Sequence, residues 1–231
     1  MLVNRMKRND FDVEILTRQN SDFGLIKKDI SDSIDSVTKA LNDFKKTIPV
    51  NIEVVLSREE YDKAVERTTE NWEIAKTIKN HIIVFHPDII ESETCHKKGC
   101  FKQVLTHELT HVVINSINRQ FLYWVSEGLA QYYADPAHKD IAFKKDDFSY
   151  FVKNNFYKNS NYYNFINHGG YELSYWIIKY LVEKYGKCIG LKLIKVKSGS
   201  RGKENIETIF NKNDLEIEDE IKTALKIDFS N

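Results

Sequence analysis

Two histidines four residues apart bracket a glutamate in the run His107-Glu108-Leu109-Thr110-His111, an H-E-x-x-H pattern within a stretch of helical periodicity. On an α-helix, residues i and i+4 lie one above the other on the same face, so the imidazoles of His107 and His111 can converge on one cation. Glu108 projects about 100° further round the helix, beside that position rather than onto it. It is therefore placed to take a proton from a water activated by the metal. Two histidines leave a catalytic zinc short of one protein ligand, which such sites draw from another His or from a carboxylate. Downstream, Trp124-Val125-Ser126-Glu127-Gly128-Leu129-Ala130 offers Glu127, where a second helix could begin.

The helix carrying H-E-L-T-H followed by W-x-S-E-G-L-A resembles the gluzincin metallopeptidases, the thermolysin-like and aminopeptidase-like peptidase MA group. The resemblance implies that His107, His111 and Glu127 bind one Zn2+ ion and that Glu108 is the catalytic base. It extends more loosely over residues 82–186, where Tyr171-Glu172-Leu173-Ser174 and Tyr185-Gly186 stand in the family's order. It also implies that Tyr171 donates to the oxyanion, with His168 and Tyr123 as the other donors of suitable chemistry. Gln131, one turn beyond Glu127, stands where related enzymes often carry an acid that supports a ligand histidine.

Such chemistry needs a frame, and the chain is long enough to build one without staples. Its 231 residues suit one catalytic domain, with an α+β half over residues 1–119 and a helical half over residues 120–231, the active-site cleft lying between them. Thirty-four basic and thirty-four acidic side chains cancel, so no overall field attracts a nucleic acid or an acidic bilayer. Three cysteines, Cys95, Cys100 and Cys188, are too few and too odd in number for a disulfide framework. Cys95, His96 and Cys100 lack the fourth ligand and the spacing of a structural zinc site. The first ten residues have charge but no apolar core behind them, and no apolar run reaches the roughly 18 residues of a membrane span. The expectation is a cytoplasmic protein as written, or a secreted or surface-associated one if a leader has been trimmed.

The elements follow from hydrophobic period. Phe11–Leu16 alternates as a half-buried strand, and Asp29 or Ser31 can cap a helix to about Lys46 through Ile30, Ile34, Val37, Leu41 and Phe44. Pro49 closes that helix, and Asn51–Leu56 reads as a second strand. Ser57, with Glu60 three residues on, caps a short helix to about Arg67. His81–Phe85 is a β-branched strand ending at His86-Pro87, and its order in the resembling family makes it the sheet edge to which an extended peptide could add. The motif helix spans about Cys100 to Asn118 with Leu105, Leu109, Val112, Val113 and Ile117 on its buried stripe.

Beyond Glu127 the chain reads as helical, with aromatic residues recurring over Tyr132–Tyr163. Asn167-His168-Gly169-Gly170 is a turn, Tyr171–Tyr185 a helix closed by Gly186, Lys187–Lys203 a lysine-rich solvated face, and Ile206–Leu225 one or two closing helices. The functional expectation is a zinc peptidase, an endopeptidase because no G-x-M-E-N-type segment precedes the motif helix to hold a free amine. Two other classes share the ligand set: a catalytically silent zinc-binding interaction domain, and a zinc hydrolase of a non-peptide amide or ester.

Overall fold

The computed structural model describes residues 1–18, 20–41, 47–135, 137, 149–150, 162–198 and 202–225. It divides into two compact units, Met1–Ser116 and Ile117–Asn231. The fold is mixed α and β, with a five-stranded sheet in the first unit and helices in the second. Among the described residues no helix is long and apolar enough to cross a membrane.

In the first unit the elements run β1 (Leu2–Arg8), β2 (Phe11–Thr17), α1 (Asn20–Ala40), β3 (Ile48–Val55), α2 (Arg58–Val65), β4 (Ala75–Ile78), β5 (His81–Phe85), a short α3 (Ile90–Glu93) and α4 (Phe101–Ile117). The sheet order is β1-β2-β3-β5-β4: β2, β3 and β5 are parallel, and each outer strand pairs antiparallel with its neighbour. Strand β2 alternates buried and half-buried residues along its whole length, as its period requires. By contrast β1 is largely exposed, with only Asn4 and Met6 half-buried, and carries no such signal. Its backbone ladder with β2 is accompanied by matched charges: Arg5 meets its register partner Glu14 at 2.9 Å and Lys7 its partner Asp12 at 3.6 Å, while Arg8 binds Asp35 of α1.

Several boundaries differ from the sequence expectations. Helix α1 begins at Asn20 rather than near Asp29, because Ile26 adds a turn to the fully buried row Ile30, Ile34, Val37 and Leu41. Its expected end, including Phe44 and Lys46, falls outside the described residues. Pro49 lies inside β3, at its exposed second position, where a missing N–H is tolerated. Helix α2 is capped as expected, the Ser57 hydroxyl accepting from Glu60 N at 3.2 Å.

The largest correction concerns the sheet edge, which is β4 and not His81–Phe85. Ile82, Ile83, Val84 and Phe85 are all buried, as expected of a strand flanked on both sides. Strand β4 turns into β5 through Lys79-Asn80, with Lys79 at φ 61°.

The second unit begins at the last residue of α4 and contains α5 (Tyr123–Ala134), α6 (Tyr162–Asn167), α7 (Gly170–Tyr185), α8 (Cys188–Ile194), α9 (Gly202–Phe210) and α10 (Asp214–Ala224). Most of the aromatic stretch expected over Tyr132–Tyr163 lies outside the described residues, as do residues 199–201 of the lysine-rich segment. Helices α5 and α7 meet at Gly128, where an added Cβ would strike the Ser174 carbonyl oxygen and stand 2.6 Å from Ile178 Cγ1. Only a glycine lets the two backbones approach this closely. Gly186 ends α7 at φ 81°, its N–H bonded to Val182 O at 2.9 Å.

Glu220 of α10 joins α7 through Tyr180 Oη at 3.0 Å, Tyr185 Oη at 2.7 Å and Lys184 Nζ at 2.8 Å, and it also pairs with Lys212. Burial disfavours its charge, yet hydrogen bonds from Lys184, Lys212, Tyr185 and Tyr180 prevail and hold the carboxyl down to about 2.

Two outcomes follow from this packing. Gly128→Ala should cost about 1–3 kcal/mol or more, read as a lowered Tm, because it forces backbone apart rather than the end of a side chain. A carboxyl held below its ordinary 4.5 stabilises the fold fully above that pH, and the contribution fades as the pH falls toward about 2. The Tm gap between wild type and Glu220→Gln should therefore be widest near neutrality and close over that window.

Candidate metal centre

Helix α4 holds its side chains in place by burial. Phe101, Leu105, Thr106, Glu108, Leu109, Thr110, Val112, Val113 and Ile114 are all buried, so apolar and polar groups are covered alike. Ile117, expected on the buried stripe, is 38 % exposed in the last turn, and Ile114 is buried in its place. Hydrogen bonds fix the helix lengthwise. Ser33 Oγ of α1 donates to Lys102 O at 3.1 Å, and Asn115 Nδ2 donates to Lys79 O of the β4–β5 turn at 3.2 Å.

On this helix His107 and His111 behave as their spacing predicts. Their Nε2 atoms stand 3.0 Å apart, the rings 4.7 Å between centroids and inclined at 78°. A zinc ion ~2.0–2.1 Å from each nitrogen at a tetrahedral angle would hold them about 3.3 Å apart, so the pair is close to a chelating geometry. Glu127 completes the group: one ligand atom from each of His107, His111 and Glu127 lies within 4.8 Å of the others. The histidines are half-buried and the glutamate buried. Two neutral imidazoles and one carboxylate match the His₂Glu donor set of a catalytic zinc site with one position left for water. The three residues could hold a metal ion.

Glu127 sits in the second turn of α5, which begins four residues earlier than expected, at Tyr123. The buried run Trp124–Ala130 surrounds it. The close approach at Gly128 places α7 against the residue after Glu127, which explains the small residue at that point of W-x-S-E-G-L-A.

Glu108 is 8 % exposed and lies off the histidine face, as helical geometry demands. Its carboxylate has a partner that periodicity did not reveal: Thr77 Oγ1 of β4 donates to Glu108 Oε2 at 2.6 Å and lies 3.2 Å from the Glu108 carbonyl oxygen. Tyr61 of α2, fully buried, feels the same charge. Its hydroxyl is pushed well above the ordinary tyrosine range, by burial first and then by the carboxylates of Glu108 and Glu73.

The other expected residues lie in the second unit. His168 occupies the turn between α6 and α7, its ring stacked on Tyr150 at 3.6 Å. Tyr171 is in the first turn of α7 and packs edge-on against Phe165 at 5.9 Å, which also touches Tyr123 at 6.4 Å. His168 lies outside the ligand group. Gln131 is half-buried one turn after Glu127. Cys95 and Cys188 are exposed, Cys100 is half-buried, and all three are free thiols.

Wild-type chain dialysed against zinc and freed of loose ion should retain about one ion. The His107→Ala, His111→Ala double variant should retain nearly none, and Glu127→Ala should bind more than about 100-fold more weakly, since even supporting residues cost 10–100-fold. Zinc retention by the double variant equal to wild type, measured by elemental analysis, would refute the site.

Comparison with models of known protein families gives no match and comparison with curated proteins gives none either, so the functional reading rests on the geometry above.

Proposed function

We propose that the chain is a zinc-dependent metallopeptidase of gluzincin type, hydrolysing internal peptide bonds with Glu108 as general base. The observation that carries this reading is the convergence of His107, His111 and Glu127 beside a buried glutamate of the same helix. A metal-binding interaction module has need of the three ligands but none of Glu108, whose buried carboxylate is costly to keep. The resemblance of His107–His111 and Trp124–Ala130 to the gluzincins supports the same assignment.

When bound, a zinc ion supplies Lewis-acid chemistry, lowering the pKa of a coordinated water toward ~7 and polarising a carbonyl. The chain's own residues do the rest. His107, His111 and Glu127 hold the ion. Glu108 accepts the proton of the attacking water and passes it to the departing amine, so one carboxyl serves as base and then as acid. Tyr171, with His168 and Tyr123 as the other donors of suitable type, stabilises the oxyanion. Strand β4, the sheet edge, bears the residue bonded to Glu108, and an extended peptide adding to it would run beside the base.

Glu108→Gln should preserve zinc content and fold while lowering kcat about 10²–10⁴-fold, toward the upper end because two proton transfers share this group. Tyr171→Phe should cost less, about 10²–10³-fold, as one oxyanion donor beside the metal. Both are compared with wild type on a cleavable peptide at equal zinc occupancy. Undiminished turnover in Glu108→Gln would overturn the mechanism. A wild type that cleaves nothing in a broad peptide library would favour the silent zinc module.

A further inference from the structure

We infer that Thr77 is a positioning residue for the base: its hydroxyl fixes the rotation of the Glu108 carboxylate and reserves one of its two oxygens for proton transfer. The inference rests on the peptidase reading of Glu108. A carboxylate at the end of a three-torsion side chain has a broad, soft last torsion, so burial by itself does not decide which oxygen faces the reaction. The Thr77 contact does decide it. At 2.6 Å it lies in the range of a hydrogen bond from a hydroxyl to a charged oxygen, about 2.5–2.7 Å. It engages Oε2, leaving Oε1 as the oxygen that accepts the proton.

The donor is itself rigid. Thr77 is β-branched, which restricts its χ1, and stands on a strand in register with Ile82 of β5. The backbone of that hairpin is bonded to α4 a second time, two turns on, through Asn115 and Lys79. Donor and acceptor are thus held by two elements that cannot slide past one another without breaking both bonds. A hydroxyl is suited to this task for a further reason. It donates to the carboxylate without carrying a charge, so it orients Glu108 without forming an ion pair that would tie up the base as Lys or Arg would.

The test compares wild type, Thr77→Val and Thr77→Ser on a peptide that wild type cleaves, at equal zinc content, with kcat and KM measured separately. Valine keeps the shape and the strand preference while removing the hydroxyl, and serine restores it. Thr77→Val should lower kcat about 10–100-fold, the range for groups that orient a reacting side chain, with KM changed less than about 2-fold. Thr77→Ser should recover most of the loss. A second readout needs neither metal nor turnover: Tm is measured on the metal-free protein for Thr77→Val, Glu108→Ala and the double variant. The double loss should be smaller than the sum of the single losses, because the two residues share one bond. Should Thr77→Val fail to fold, Thr77→Ala takes its place with the same expectations.

Wild-type kcat in Thr77→Val, serine no better than valine, or strictly additive Tm losses would each overturn the assignment while leaving the peptidase reading intact. Absence of any wild-type turnover would overturn that reading, and the positioning role with it, even where the Tm coupling is found.

Discussion

Two histidines on one helix can meet a third ligand from elsewhere in the chain only if that helix keeps one face turned toward it, and the candidate site depends on α4 being held in that way. A rotation by one residue's step, about 100°, would leave His107 and His111 as close to each other as before but turn both away from Glu127 and turn Glu108 away from Thr77. Nine residues of α4 are buried and cover most of its circumference, leaving half-buried the side that carries Val104, His107, His111 and Asn115, so rolling the helix would bring covered side chains into the open. The bonds from Ser33 to Lys102 O and from Asn115 to Lys79 O prevent it sliding. The approach of the two Nε2 atoms to 3.0 Å follows from the i, i+4 spacing of the histidines, and the direction in which the pair faces follows from that immobility.

The same cover accounts for the energetic tension in the site. Glu108 and Glu127 are carboxylates with little solvent, and burying such groups is costly unless something compensates. For Glu108 the Thr77 hydroxyl supplies part of that compensation, and for Glu127 the nearness of two imidazoles offers a shared cation as the natural one. The contrast with Glu220 is informative. There the half-buried carboxylate is met by two lysines and two tyrosines, and the result is a structural clasp with its carboxyl held low. A carboxylate so thoroughly neutralised makes a poor base, whereas one met by a single neutral hydroxyl keeps an oxygen for chemistry.

What was legible in the sequence was what is local. The i, i+4 histidines, the glutamate beside them, the Ser57 cap, the strict alternation of β2 and the glycine that ends α7 each depend on a few neighbouring residues, and the structure places each as its pattern implies. Boundaries set by tertiary contact were not legible. Strand β1 is largely exposed and is held by its antiparallel ladder with β2, Arg5 and Lys7 facing Glu14 and Asp12 across it, which no periodicity announces. Helix α1 runs back to Asn20 over residues with no regular apolar period, and His81–Phe85, an edge by its order in the resembling family, is an inner strand in which Ile82–Phe85 is an unbroken buried run.

The missed strand β4 shows where local reading has to stop at a site of this kind. Ala75-Lys76-Thr77-Ile78 is four residues long and half-buried, with neither the alternation nor the β-branched density of a recognisable strand. An edge strand gains little from being conspicuous, since a long apolar one would invite pairing with other chains. Its identity as the edge is set by β5, which takes β3 on one side and β4 on the other, and its reach to Glu108 is set by the packing of α4. Convergence of His107 and His111 is therefore a property of helical spacing, written in neighbouring residues. Orientation of the Glu108 carboxylate is a property of two elements separated by thirty-one positions, and only the folded chain brings Thr77 and Glu108 together.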